Sequence, residues 1–184
     1  MNKILLLLAL FLTYSCASNK TTITENDKIG TGRLKNNLKS GKWTFSKDGK
    51  ITSKGKYNKG LKYGNWKYYY ENGKLHQEGD YVYDKQIGIW KYYFDTGQFM
   101  GTGKILHNQQ IGLWEWYHKN GQLYTERYYN DGKLVEILSC YNKKGKILDC
   151  GKIENGNGKM KLHDTENETA KIEIFEFENG FLKK

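Results

Sequence analysis

Apolar and polar side chains alternate along much of this chain. Trp66, Tyr68 and Tyr70 alternate with Lys67, Tyr69 and Glu71, the period-two pattern of a strand whose two faces differ. Asn72-Gly73 follows at once. Both central residues of a type I′ turn need positive φ, which Asn and Gly tolerate, so this dipeptide predicts a hairpin. A two-residue turn sets Glu71 opposite Lys74, Tyr70 opposite Leu75, and Trp66 opposite Gly79, a residue that leaves room for the indole. The same counting sets Trp90 across from Gly103 and Leu138 across from Gly151, while Trp114 meets Arg127 as a candidate cation–π pair.

The pattern recurs about every 24 residues, most clearly in copies that begin at Gly55, Gly79 and Gly103. Aligned copies give one column of Trp43, Trp66, Trp90, Trp114, Leu138 and Leu162. A second column holds Leu34, Tyr57, Tyr81, Ile105, Tyr129, Ile153 and Phe177, and a third holds Gly49, Gly73, Gly97, Gly121 and Gly145. Each unit buries its apolar side only against its neighbours, so the expected fold is all-β: an elongated single-layer antiparallel sheet of consecutive hairpins. One face is expected to be aromatic (Trp66, Tyr68, Tyr70, Leu75, Tyr81 and their equivalents) and the other mainly charged.

What covers the aromatic face then decides its use. An open face made of Trp66, Tyr68, Tyr70, Trp90, Tyr92, Phe94, Trp114 and Trp116 is a protein-binding surface. A face covered by a second copy makes a homodimer, and one buried by curling of the sheet leaves a spacer. Tyr69, Tyr93, Tyr117 and Tyr124 fall on the second face, where their rings could stack on glycans.

Composition bears on the chain's ends. With 184 residues, 15% aromatic residues and no proline, it has one domain's length and keeps every backbone N–H for a ladder. Residues 1–15 carry Lys3, an apolar run from Ile4 to Leu12 and then Thr13, Tyr14 and Ser15, too short to span a membrane as a helix. They read as an export signal. The placement of Cys16 resembles the lipobox of bacterial lipoproteins, so residues 16–28 are expected to be a lipidated cysteine and a flexible tether, with the repeat array from 29 to 184. The expected location is the bacterial cell envelope, periplasm or outer membrane.

Removing residues 1–15 takes the formal charge only from +10 to +9. Between Lys28 and Tyr70 stand twelve basic residues against Asp48 alone, whereas Asp164 to Glu178 holds six acids against Lys171. The patch of Lys42, Lys54, Lys56, Lys59, Lys62 and Lys67 thus adjoins the expected anchor and suits an anionic lipid surface. Nucleic acid, which basic and aromatic interleaving also suits, ranks low for an exported chain.

No catalytic or metal constellation emerges, and no cofactor is implied. His76, His107, His118 and His163 lie in different repeats without ligand spacing, and His118 shares the column of Tyr70 and Phe94, which suits a packed ring. An enzyme would need His76, His107 or Glu126 to converge on one cleft. Cys140 and Cys150 flank Lys144-Gly145; a two-residue turn sets them opposite Asp149 and Ser139, on different faces, so a disulfide would require a bulge.

The recurring G-x-W-x-Y-Y-x-x-x-G and G-x-Y signatures resemble the MORN-repeat variant found in many bacterial proteins, YwqK-type antitoxins among them, over residues 30–160 and on toward 184. The resemblance implies an extended antiparallel sheet that binds proteins or membranes and implies no reaction. An antitoxin-like neutralising partner is a further alternative, at odds with an export signal. The reading is a non-enzymatic, lipid-anchored envelope module that binds an unidentified protein partner.

Overall fold

The computed structural model describes residues 20–163 and 172–183. The signal segment and Cys16 lie outside them. Among the described residues there is no helix. The strands are β1 (Thr21–Glu25), β2 (Lys28–Lys35), β3 (Leu38–Lys47), β4 (Lys50–Asn58), β5 (Leu61–Tyr69), β6 (Leu75–Val82), β7 (Lys85–Tyr93), β8 (Phe99–Leu106), β9 (Gln109–Tyr117), β10 (Leu123–Asn130) and β11 (Lys133–Cys140), followed by β12 (Gly151–Glu154), β13 (Asn157–His163), β14 (Ile172–Glu178) and β15 (Phe181–Leu182). β1 to β11 form one antiparallel sheet in sequential order, and β12 to β15 form a second. The expected ribbon of hairpins is the observed architecture.

Thr21–Glu25, expected in the tether, is instead the edge strand β1, paired with β2 from Thr21↔Gly32 to Glu25↔Lys28. Its Asn26-Asp27 turn has both φ values positive, and Thr and Ile are good strand formers.

From Lys59 onward two kinds of turn alternate. Lys59-Gly60, Tyr83-Asp84, His107-Asn108 and Asp131-Gly132 have positive φ at both residues, as a type I′ turn requires. Asn72-Gly73 does not: only Gly73 is positive. There Gly73 N–H donates to Tyr70 C=O and Tyr70 N–H to Lys74 C=O, a three-residue loop with the glycine at its left-handed position. That loop shifts the register by one, so Leu75 pairs with Tyr69 and lies on the second face, not opposite Tyr70. A bulge between Tyr68 and Tyr69 then restores the count, and Trp66 does pair with Gly79.

On the other side of each tryptophan strand the ladder is more distorted. Lys54 pairs with Lys67 and Lys56 with Tyr63, so Gly64, Asn65 and Trp66 together face the single Gly55. The same three-to-one arrangement recurs at Gly32 and Gly79. It turns each indole onto the glycine of the preceding strand: Trp43 on Gly32, Trp66 on Gly55, Trp90 on Gly79 and Trp114 on Gly103, where any β-carbon would collide with the ring. Bulges bend the strand that carries the extra residues.

These four tryptophans are at most 1% exposed and, with Phe45, Tyr57, Tyr81 and Ile105, make one continuous core on one face of the long sheet. The ring ladder is edge-to-face where Tyr57 meets Trp66 (5.1 Å) and Tyr81 meets Trp90 (5.3 Å). Sheet distortion and neighbouring rings therefore cover the aromatic face.

The tryptophan column ends after Trp114. Leu138 is 49% exposed and stands at a bulge in the β10–β11 ladder, and β11 pairs with β10, so Leu138 does not meet Gly151, which pairs with Met160 instead. The position eleven residues before it is Arg127 where other repeats have glycine, so no floor remains for a ring. Arg127 does pair with Trp114, yet its buried Nε has no hydrogen-bond partner. The second column continues into the other core, where Leu134, Ile153 and Met160 pack with Tyr129, Leu162 and Phe177. Leu134 N–H donates to Gly180 C=O (3.0 Å) and Gly156 N–H to Val135 C=O (3.1 Å), joining the turns of the short sheet to β11.

Cys140 and Cys150 are joined in a disulfide, with Cα atoms 6.0 Å apart. Counting from a two-residue turn fails because Asn142–Lys146 closes another three-residue loop. The Tyr141↔Ile147 bridge and the bond from Leu148 N–H to Cys140 C=O follow it before the chain leaves the ladder and brings Cys150 back to Cys140.

Candidate functional site

Burial separates the candidate binding residues into two groups. Trp66, Trp90 and Trp114 are inaccessible, and Tyr68, Tyr92 and Trp116 pack against them half-buried. Tyr70 donates its hydroxyl to Tyr93 C=O (2.8 Å), and His118, two units on and 2% exposed, bonds through Nε2 to Tyr141 C=O (2.8 Å). A carbonyl only accepts, so Nε2 carries the proton. His118 is thus a packed ring filling the place of Tyr70. Phe94, between them in the repeat, has Lys119 Nζ 5.6 Å from its ring centre.

The second face is less uniformly charged than expected. A row of side chains crosses it by direct pairing: Lys54 with Lys67, Lys67 with Glu78, Glu78 with Lys91, Lys91 with Thr102, Thr102 with Glu115, and Glu115 with Glu126. Lys67 bridges Glu78 at 2.8 Å, and Tyr93 donates to the other Glu78 oxygen at 2.9 Å. The hydrogen bond from Lys67 holds the Glu78 carboxyl below its usual range. Burial, then the Glu78 carboxylate, pushes the Tyr93 phenol up to about 12. On one side of the row lie rings: Phe99 sits 5.9 Å from Tyr93 and 5.3 Å from Tyr117, and Lys54 stands over Tyr69 at 5.2 Å. Tyr124 is separate from them, 5.0 Å from His118. On the row's other side Ile89, Leu106, Leu113 and Tyr128 are each more than two-fifths exposed, in columns that hold lysine or asparagine nearer the N-terminus. Pattern reading, which makes this face mainly charged with a set of tyrosines, does not single out these four residues.

The lysines expected as one patch also divide. Lys42 pairs with Lys56 and Lys54 with Lys67 on the second face, while Lys59 occupies a turn. Lys62 is on the core face, its Nζ 4.7 Å from the Trp66 ring centre and donating to Tyr68 Oη at 2.9 Å; burial pushes its pKa down. A second-face depression of about 630 Å3 is lined by Lys20, Arg33 and Lys42. Of the acids from Asp164 to Glu178, Glu176 pairs with Lys159, and just before that stretch Glu154 and Asp149 pair with Lys152 and Lys161.

Residues 62–83 and 110–131 match the family described as MORN repeat variant. The two matches begin 48 residues apart, two periods of the array, and each runs from a tryptophan strand through a three-residue loop and the following strand to the first residue of the next type I′ turn. These two segments are similar to MORN-variant repeats. MORN repeats commonly serve as protein- or membrane-binding modules. No curated protein matches the chain. His76 lies against Tyr70 (4.4 Å), His107 occupies a turn, and Glu126 accepts from Ser139 (2.6 Å). Among the described residues, no three His, Cys, Asp or Glu side chains group to hold a metal ion.

Proposed function

We propose that this chain is a non-enzymatic scaffold of the bacterial cell envelope, anchored by lipid on Cys16, that binds a partner protein through the second face of its central repeats. The carrying observation is the exposure of the apolar side chains Ile89, Leu106, Leu113 and Tyr128 on neighbouring strands, where Leu113 pairs with Tyr128 and Ile89 with Lys104. The aromatic core stabilises the fold without these residues, and exposed apolar clusters beside charge rows favour association. The Cys140–Cys150 disulfide suits an oxidising compartment, in keeping with export. Placing a photocrosslinking residue at Leu113 in intact cells should trap one protein. With the crosslinker kept at position 113, Ile89→Glu with Leu106→Glu should abolish the adduct while leaving the melting temperature unchanged. Adducts that survive the double substitution would remove this reading.

A second reading concerns the first repeats. Like charges placed directly opposite on neighbouring strands are unfavourable, yet Lys42 faces Lys56 and Lys54 faces Lys67. An anionic lipid surface beside the anchor would relieve that repulsion. Binding of the Cys16→Ser protein to vesicles containing anionic lipid should fall steeply with salt. No binding at low salt would discard it.

A further inference from the structure

The core face holds an open depression at its N-terminal end. The β1–β2 turn and strands β3 to β5 surround a cavity of about 280 Å3 whose floor is aromatic, formed by Phe45, Tyr57, Trp66 and Tyr68. Three ammonium groups line it, from Lys28, Lys39 and Lys62. Lys39 Nζ stands 4.9 Å from the Tyr57 ring centre and Lys62 Nζ 4.7 Å from that of Trp66, so ring faces balance part of each charge. Ser53 also lines the cavity. It is 7% exposed.

The repeat does not require these cations. Lys39 and Lys62 occupy the column that holds Gln86 and Gln110 in later units, where the same ring ladder forms without charge. The chain itself already places one carboxylate here: Glu25 Oε2 meets Lys39 Nζ at 2.5 Å, and the Glu25 side chain remains half exposed. Asp84, the other acid acting on Lys62, turns its side chain to the Lys62 backbone N–H at 2.7 Å. Three ammonium groups against these two carboxylates leave one positive charge, which a single anionic group neutralises.

We propose that this cavity binds a small carboxylate with an aromatic or branched apolar body. Its oxygens take hydrogen bonds from Lys39, Lys62 and the Ser53 hydroxyl, its body lies on the Phe45 and Tyr57 rings, and Glu25 gives up Lys39 as it enters. Charge-assisted bonds in a partly dry site supply the recognition, and the ring floor selects against small hydrated anions. The site is separate from the second-face patch, so it stands whether or not that patch binds a protein.

The test uses benzoate as the free acid and N-acetyl-Phe-Glu-Phe-amide as the same group on a peptide, followed by the indole N–H resonance of Trp66 in two-dimensional NMR. Benzoate should give a saturating shift, tightened about threefold or more by Glu25→Gln, and weakened at least tenfold by Lys39→Gln with Lys62→Gln. That double variant installs the glutamines of the later repeats and should keep the parent melting temperature. A peptide response at the same lysines without a benzoate response would sustain the site and assign its carboxylate to a protein segment. The proposal fails if neither probe titrates, if the double variant binds as well as the parent, or if benzylammonium or inorganic phosphate matches benzoate.

Discussion

The indole of Trp66 lies against the backbone of Gly55, eleven residues earlier, where a β-carbon would fall inside the ring. Gly55→Ala should therefore destabilise the protein by about 1–3 kcal/mol, as overpacking a closed site does. Gly64 differs: no atom lies within 4 Å of its β position, and only its φ of +66° resists substitution. Gly64→Ala should cost about 1–2 kcal/mol through backbone strain alone. Urea unfolding of the two variants measures both. A harmless Gly55→Ala would mean that the indole sits elsewhere.

Trp43, Trp66, Trp90 and Trp114 should emit in the blue and resist acrylamide quenching, because they are at most 1% exposed. Trp116, half-buried, should supply nearly all the quenchable signal. Trp66→Ala should cost about 3–5 kcal/mol, the range for large aromatic truncations. Free access of acrylamide to all five rings would restore the open-face expectation.

Much of this arrangement is readable from the residues. The column from Leu34 to Phe177 faces a core throughout, and the pairing of Trp66 with Gly79 follows from hairpin counting. That count succeeds through two cancelling shifts, a loop one residue longer than expected and a bulge that removes the difference. Between the two shifts, at Leu75, it assigns the wrong face. Which glycine receives an indole was not readable, because turn chemistry reports only the strand on one side. The pairing with the earlier strand depends on a three-to-one bulge set by ring packing. The exposed patch of Ile89 and Leu113 escaped notice for a related reason: the alternating pattern identifies two faces without saying which of two apolar sets is covered. At the Lys28–Lys39–Lys62 cavity the sequence supplies the lysines, but only the fold separates Lys62 from the lysines of the other face.

A thiol assay of the unreduced, unfolded protein should find no free sulfhydryl from Cys140 or Cys150. Changing both to Ser should lower stability by about 2–4 kcal/mol. Hydrogen exchange should rise first in β12 to β15, whose attachment to β11 the bridge reinforces.

Alkaline pH should weaken the fold through the Tyr93–Glu78 pair. The Tyr93 phenol is raised from 10.0 to about 12, so between those values the unfolded chain loses a proton that the folded chain keeps. Stability conferred by the neutral phenol is complete below pH 10 and declines as pH rises toward 12. Burial raises Tyr57 and Tyr68 in the same direction. Absorbance at about 295 nm follows phenolate formation, and in the Glu78→Gln protein the Tyr93 step should move to lower pH. An unchanged step would separate Tyr93 from Glu78.

The contacts that join one unit to the next have short, fixed reaches along the chain. Trp66 reaches back eleven residues to Gly55, Lys62 N–H reaches forward twenty-two to Asp84, and Tyr70 and Asn72 reach twenty-three to Tyr93 and Asp95. Excising residues 79–102 would bring Gly103 directly after Glu78 and leave an indole over a glycine at each remaining step. The molecule is in this sense a graduated ruler. Its span changes by two strand widths, about 10 Å, with each unit gained or lost, so the distance between its ends can be reset without redesigning either one.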